Sequence, residues 1–309
     1  MKILITGVHG FVGSNLVKAL SKEHTIYGLD IVSPIKDGVR FTFSWEHLDA
    51  KDMIPDVDAI IHLAGKAHDT KNEAAADVYF KVNTDLTRKI YDYFVKSKAK
   101  KFIFFSTAKA AADKVDGVLT EDVVPTPVGP YGESKIAAEK YIQEHLVADK
   151  QVYILRPCMI HGPGNKGNLN LLYGVVKKGI PWPLGAFENR RTFTSIENLC
   201  FVINGLLTKD VPTGIYNMGD DEALSTNELI EEICKSLGKK AHIWKLPKGL
   251  MNGVAKIGGV LHLPLDAERL RKLTENYISS NAKIKKALGV EEMPVDARVG
   301  LQKTLESFK

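Results

Sequence analysis

Short runs of apolar residues, many of them β-branched or aromatic, punctuate the first half of the chain at Ile3–Thr6, Thr25–Leu29, Ala59–Leu63, Phe102–Phe105 and Val152–Leu155. Their length and make-up predict strands. Between them lie stretches with helical spacing of apolar positions, among them Ser14–Leu20, Asp77–Ser97 and Ser134–His145. Strands alternating with helices predict an α/β protein: a doubly wound parallel sheet covered on both faces. From about residue 161 the pattern loosens, and loops rich in Gly, Pro and Asn at His161–Asn170 and Lys178–Asn189 predict excursions into a smaller C-terminal lobe. The expected division is residues 1–160 plus about 192–218 in the main unit, with about 161–191 and 219–309 in the lobe.

The first strand runs into Gly7-Val-His-Gly10-Phe11-Val12-Gly13 and then into a helical pattern. Strand, glycine turn and helix in succession form the setting in which a dinucleotide-binding fingerprint is credible, here with the spacing Gly-x-x-Gly-x-x-Gly. Gly7 permits the tight turn, Gly10 lets backbone approach a pyrophosphate, and Gly13 brings the helix close to the sheet with its N-terminus toward the phosphates. The next strand ends at Asp30, at the distance where an acid binds the adenosine ribose hydroxyls. Ile31 and Val32 follow, with no arginine beside the acid to hold a ribose phosphate, which favours NAD over NADP.

Tyr131 and Lys135 lie one turn apart in the helical stretch after Pro130, so phenol and ammonium share a face. A lysine charge beside a phenol favours the phenolate and is expected to pull the tyrosine pKa below its model value of about 10. A tyrosine so placed can exchange a proton with a substrate alcohol. Ser106 and Thr107 close the strand Phe102–Phe105, which puts their hydroxyls at the C-terminal edge of the sheet, where ligands of open α/β sheets bind.

Composition adds limits. A chain of 309 residues, 44% hydrophobic and 26% charged, suits a soluble globule of one large or two medium domains. The net charge of +5 would suit a polyanionic ligand, yet Lys98, Lys100, Lys101, Lys239, Lys240, Lys283, Lys285 and Lys286 are dispersed, and no basic–aromatic interleaving points to nucleic acid. Cys158, Cys200 and Cys234 show no spacing suited to disulfides or metal, so buried inert thiols and no metal are expected. No run is long and apolar enough for a signal peptide or a membrane span, and a cytoplasmic location away from membranes is expected.

Further strings extend the picture: Asp58-Ala-Ile-Ile-His-Leu-Ala-Gly65, Val82-Asn83-Thr84, Leu155-Arg-Pro-Cys-Met-Ile-His-Gly-Pro-Gly164, Arg190-Arg-Thr-Phe-Thr-Ser-Ile-Glu-Asn-Leu199 and Gly214-Ile-Tyr-Asn-Met-Gly219. In this order, with the glycine turn, Ser106-Thr107 and the Tyr131/Lys135 pair, the chain resembles the extended short-chain dehydrogenase/reductase family over nearly its whole length. The resemblance is to the nucleotide-sugar epimerases and dehydratases, such as UDP-glucose 4-epimerase. It implies a Rossmann-type fold with a substrate-binding lobe, and NAD held by the glycine turn with Phe11 and Val12, by Asp30, by Leu63, Ala64 and Gly65, and by Tyr131 and Lys135. Asn83 approaches the cofactor in relatives and serves equally well as a structural hydrogen-bonder. Thr107 takes the place of the active hydroxyl, with Ser106 in reserve, and Tyr131 that of the general acid–base group.

For a nucleotide-sugar substrate, the resemblance assigns Asn168 and Leu169 to the diphosphate, and Arg191 and Arg269 to phosphate contacts. Lys272 departs from the acid that many relatives carry there, and His161 replaces a tyrosine and is expected to be a packing residue. A homodimer is compatible with the resemblance. The dehydratases follow their active hydroxyl with an Asp-Glu pair; here Ala108-Lys109 follows Thr107, so elimination of water is not expected. Two activities remain: a UDP-hexose or UDP-N-acetylhexosamine 4-epimerase with a transient 4-keto intermediate, and an NAD(P)H-dependent UDP-4-keto-sugar reductase of polysaccharide biosynthesis. A non-catalytic dinucleotide sensor is a third reading, against which the intact turn and Tyr/Lys pair weigh.

Overall fold

The computed structural model describes residues 1–50, 52–67, 75–165, 167–260 and 266–309. Its strands are β1 (Lys2–Thr6), β2 (Thr25–Leu29), β3 (Val39–Phe43), β4 (Ala59–His62), β5 (Lys101–Phe105), β6 (Val118–Leu119), β7 (Gln151–Pro157), β8 (Met159–His161), β9 (Phe193–Ser195), β10 (Gly214–Met218) and β11 (Ile278–Ser279). Seven of them form one sheet in the order β10-β7-β5-β4-β1-β2-β3. Every neighbouring pair is parallel. The chain starts in the middle of the sheet, runs out to β3 and returns past β1 to β4. That reversal opens a crevice between the C-terminal ends of β1 and β4, the ordinary ligand site of such sheets.

The expected strands are present, with ends that agree to within two residues. Both faces of the sheet are covered. On one, Leu16, Val17 and Leu20 of helix Phe11–Leu20 pack with Leu199, Val202, Ile203 and Leu206 of helix Ile196–Thr208. On the other, Ile90, Tyr91 and Phe94 meet Phe102, Phe104, Ala138 and Ile142. A separate cluster gathers Leu169, Tyr173, Trp182, Phe193, Leu229, Ile233 and Leu301. The chain returns from it late, when Ile284 and Leu288 of helix Ala282–Leu288 join the core of the main sheet. Two short parallel pairs, β8 with β9 and β6 with β11, stitch the segments beyond the sheet edge.

The helix expected over Asp77–Ser97 is not continuous. It runs as α-helix over Ala76–Tyr79, widens to a π-helical turn over Phe80–Asp85, and resumes as α-helix over Leu86–Lys96. Asn83 sits in the wide turn with its amide clamped on the Lys66 backbone: Oδ1 accepts from Lys66 N at 2.8 Å and Nδ2 donates to Lys66 O at 3.0 Å. Such turns recur at functional sites because they redirect one side chain without ending the helix. Among the described residues no helix is long and apolar enough to cross a membrane.

Candidate active site

The glycine turn is closed by backbone. Gly7 has φ +67°, and a Cβ there would lie 3.0 Å from Ala64 N; a Cβ on Gly13 would lie 2.4 Å from the Gly7 carbonyl oxygen. Gly10 precedes the first turn of helix Phe11–Leu20, and Phe11 and Val12 pack on the core. The turn rests on a chain of hydrogen bonds with a definite direction. Thr6 Oγ1 accepts from Leu63 N at 3.1 Å and Ala64 N at 3.0 Å, so its own proton goes to His62 Nδ1, 2.6 Å away. His62 Nε2 then donates to Thr87 Oγ1 at 2.9 Å, and Thr87 donates to the Asn83 carbonyl at 2.6 Å. Burial, with the Lys135 charge adding to it, holds the His62 pKa well below its usual value, so the ring is neutral as this pattern requires. Leu63, Ala64 and Asn83 are thereby set relative to the turn.

Asp30 stands at the end of β2, its carboxylate accepting from His9 N at 3.1 Å and Ile31 N at 2.7 Å. Lys36, which the sequence reading passed over, reaches the same place: its ammonium donates to Ser14 Oγ at 2.5 Å and Val8 O at 3.3 Å. Burial and the nearby Lys18 lower its pKa while Asp30 opposes them. The lack of an arginine after Asp30 therefore does not leave the ribose end without a cation. The fit to a dinucleotide is otherwise direct. Gly65 has no side chain to occupy the space between Asn83 Oδ1 and Lys135 Nζ, which would lie 3.0 and 3.1 Å from a Cβ there.

Helix Pro130–Glu144 starts with proline in its first turn, after Gly129 at φ 84°. It carries Tyr131 and Lys135 to the end of β5. The Tyr131 phenol hydrogen-bonds Thr107, whose Oγ1 also caps helix Ala108–Ala111 by accepting from Lys109 N. The expected lowering of the phenol pKa by lysine is overturned. Burial raises it, the Thr107 bond lowers it and Tyr79, with its ring 6.4 Å away, raises it again, for a net rise. The reason is where the lysine points: Lys135 Nζ donates to the Phe105 carbonyl at 2.8 Å and lies over the Phe104 ring at 5.0 Å. Its own pKa is pushed down to about 8 by burial, with Glu139 opposing. The neighbouring Ser106 hydroxyl is engaged elsewhere, donating to Glu139.

Beyond the sheet edge, Arg191 is half-buried and Arg269 is exposed. Arg191 is paired through its backbone to Leu224 and donates from Nη1 to the Lys272 carbonyl. Arg269 keeps 60% of its side chain exposed and pairs with Asp266, the residue capping its helix, at 3.6 Å. Arg271, two positions on, is half-buried and reaches Asp113 at 3.2 Å and Glu275 at 3.0 Å. Lys109 shares Asp113 at 2.8 Å and lies over the Tyr277 ring at 5.0 Å. Sequence reasoning missed both Lys109 and Arg271 as neighbours of one carboxylate.

Asn168 is exposed at the start of helix Asn168–Lys177, whereas the Leu169 side chain is 2% exposed and belongs to the core. His161 packs, with Nδ1 2.9 Å from Thr304 Oγ1 and Nε2 3.6 Å from Asp220. All three cysteines are free, Cys158 and Cys234 buried and Cys200 half-buried; burial pushes the Cys158 and Cys200 thiols up to about 12. Among the described residues no group of three or more His, Cys, Asp or Glu side chains could hold a metal ion.

Residues 3–219 match the model of the NAD dependent epimerase/dehydratase family. The chain is 32% identical over 262 residues to a UDP-glucose 4-epimerase of Vibrio cholerae, an overlap of 79% of this chain and 78% of that protein. It is 27% identical to the N-acetyl-alpha-D-glucosaminyl-diphospho-ditrans,octacis-undecaprenol 4-epimerase of Escherichia coli O157:H7, over 92% of this chain and 84% of the other. In fold it is similar to a UDP-glucuronic acid 4-epimerase from Bacillus cereus solved in complex with NAD, with a TM-score of 0.76, 22% identity and coverage of 100% and 98% of the two chains. The match to the family model and the relative at 32% identity show that the chain belongs to the NAD-dependent epimerase/dehydratase family, a branch of the extended short-chain dehydrogenases/reductases.

Proposed function

We propose that the chain is a nucleotide-sugar 4-epimerase acting on a UDP-hexose or UDP-N-acetylhexosamine. One observation carries this reading: the Tyr131–Thr107 hydroxyl pair stands at the C-terminal edge of the sheet with Ala108-Lys109 beyond it, and the Lys109 ammonium is held on Asp113. The site can move a proton on and off a sugar oxygen. It carries no carboxyl group at positions 108 and 109, where the dehydratases have the Asp-Glu pair that serves a departing hydroxide. Tyr131 takes the proton of the C4 hydroxyl and later returns it, and Thr107 steadies the same oxygen as it passes between alcohol and ketone. Bound NAD would supply the hydride acceptor and, for the return, the donor, with a positively charged ring that helps the raised phenol give up its proton. Lys135, held on the Phe105 carbonyl, would contact the nicotinamide ribose in this reading. In this reading Arg191, Arg271 and Lys109 face the diphosphate and sugar, residues 161–191 and 219–309 supply the substrate lobe, and Arg269 takes no part.

The test is hydride accounting. An epimerase returns the hydride to the same sugar, so UDP-sugars should interconvert at C4, followed by NMR, with no net change in nicotinamide absorbance. The 4-keto reductase is a second reading because of Lys36, a cation within electrostatic reach of Asp30 whose charge would suit a ribose phosphate and hence NADPH. Stoichiometric oxidation of NADH or NADPH by a UDP-4-keto sugar, with no epimer formed from ordinary UDP-sugars, would select the reductase.

A further inference from the structure

Glu139 lies one turn beyond Lys135 on helix Pro130–Glu144 and is 0% exposed, a costly place for a carboxylate. Both its oxygens are engaged. Arg156 of β7, itself 1% exposed, donates from Nε at 3.0 and 3.2 Å and from Nη2 at 2.6 Å, while the Ser106 hydroxyl donates to Oε1. Three elements meet at this one carboxylate: the end of β5 that leads to Thr107, strand β7, and the helix that carries Tyr131 and Lys135. Lys135 donates to the carbonyl of Phe105, the residue just before Ser106. Helix and strand end are therefore pinned twice, once through an ammonium and once through a carboxylate.

A well-packed apolar pair would hold such elements together as well or better than a buried ion pair. What it would lack is fixed charge. Among the described residues, the groups coupled electrostatically to Lys135 are Glu139 from its own helix and, from β4, His62, which is neutral; Tyr131 stands one turn before it on the same helix. Asn83 and the Phe104 ring complete the surroundings without charge. Glu139 is the anion of this set, and Arg156 stands behind it as counter-ion. We propose that Glu139, anchored by Arg156, is a positioning residue whose fixed charge holds Lys135 and the Ser106–Thr107 strand end in working relation to Tyr131.

This rests on the reading that Lys135 serves the cofactor, and the test uses cofactor binding so that it stands apart from sugar turnover. NAD affinity would be measured by calorimetry between about pH 6 and 10, alongside thermal unfolding. In the native protein affinity falls on the alkaline side as Lys135 loses its proton. Glu139→Gln keeps the shape and removes the charge, and the midpoint of that fall moves down by about one pH unit. Glu139→Gln/Arg156→Gln, which leaves no unpaired charge if the single variant cannot fold, shows a smaller shift in the same direction. Arg156→Lys retains the native midpoint. A midpoint unchanged in either folded glutamine variant, with only stability lowered, would overturn the proposal. A shifted midpoint in a protein that turns over no nucleotide sugar would sustain it and sink the epimerase reading alone.

Discussion

Replacing Thr6 with valine removes one hydroxyl beneath the glycine turn while keeping the β-branched shape of a residue that is 0% exposed. Three partners lose it: Leu63 N, Ala64 N and His62 Nδ1. Leu63 N retains the Thr6 carbonyl at 3.3 Å, so the groups left without this support are the Ala64 amide and the imidazole nitrogen. Each buried polar group deprived of its partner costs about 1–3 kcal/mol, and the extra methyl of valine returns up to about 1 kcal/mol, so the two groups together give a net loss of about 1–5 kcal/mol. At roughly 2 °C per kcal/mol for a chain of this size, thermal unfolding should fall by roughly 2–10 °C. Since Ala64 lies against Gly7, NAD affinity should weaken as well, by about 5–10-fold on loss of about 1 kcal/mol of preorganisation. Differential scanning calorimetry and NAD titration read the two effects, and Thr6→Ser, which keeps the hydroxyl, should recover most of the affinity. A loss below about 1 kcal/mol with unchanged NAD binding would refute the directed chain through His62.

Tyr131→Phe should keep fold and cofactor while lowering turnover by about 10²-fold or more, the usual contribution of general acid–base catalysis; near-normal turnover would remove the phenol from the mechanism. Asp30→Ala should cost about 1.5–3 kcal/mol of NAD affinity and narrow the preference over NADP, with Lys36→Ala acting oppositely on NADP; equilibrium titration of both dinucleotides checks the pair. Lys135 has a pKa of about 8 in the folded chain against an ordinary 10.5, so between those values the unfolded chain binds more protons and stability rises with pH. Lys135→Met should therefore be about 1–3 kcal/mol more stable than the native protein at pH 7, an advantage that shrinks from pH 8 upward, while losing activity. Denaturant curves that show the same gap at pH 7 and pH 10 would count against a desolvated ammonium.

The central sheet was legible because parallel strands covered on both faces must be nearly all apolar, as Ile3–Thr6 and Ala59–His62 are. β3 escaped notice for the complementary reason: it is an edge strand whose Arg40 and Phe41 are exposed, so it offers no unbroken apolar run. The Tyr131/Lys135 spacing gave the right neighbours and the wrong electrostatics. One helical turn fixes the side on which two residues stand, not which carbonyl an ammonium chooses. Arg269 and Arg271 sit two positions apart, which on a helix places them on different sides, and Asp266 as cap settles which one faces Asp113. Two signals were present and unread: an acid four residues after Lys135, and an arginine inside the apolar run Val152–Pro157, where a charge must find a buried partner.

The order in which the sheet is laid down has a consequence for the nascent chain. β1 is central, yet the helix that follows it is covered by Leu199, Val202, Ile203 and Leu206, and the outer edge of β7 stays open until Gly214–Met218 arrives as β10. A chain halted near residue 160 would hold its glycine turn on a sheet with one apolar face only partly covered, by helix Phe11–Leu20, and one unpaired strand edge, the combination that favours aggregation. At ribosomal rates the wait between β7 and β10 is roughly 3–12 s, long enough for a chaperone, or for the cofactor itself, to decide which molecules reach the finished fold.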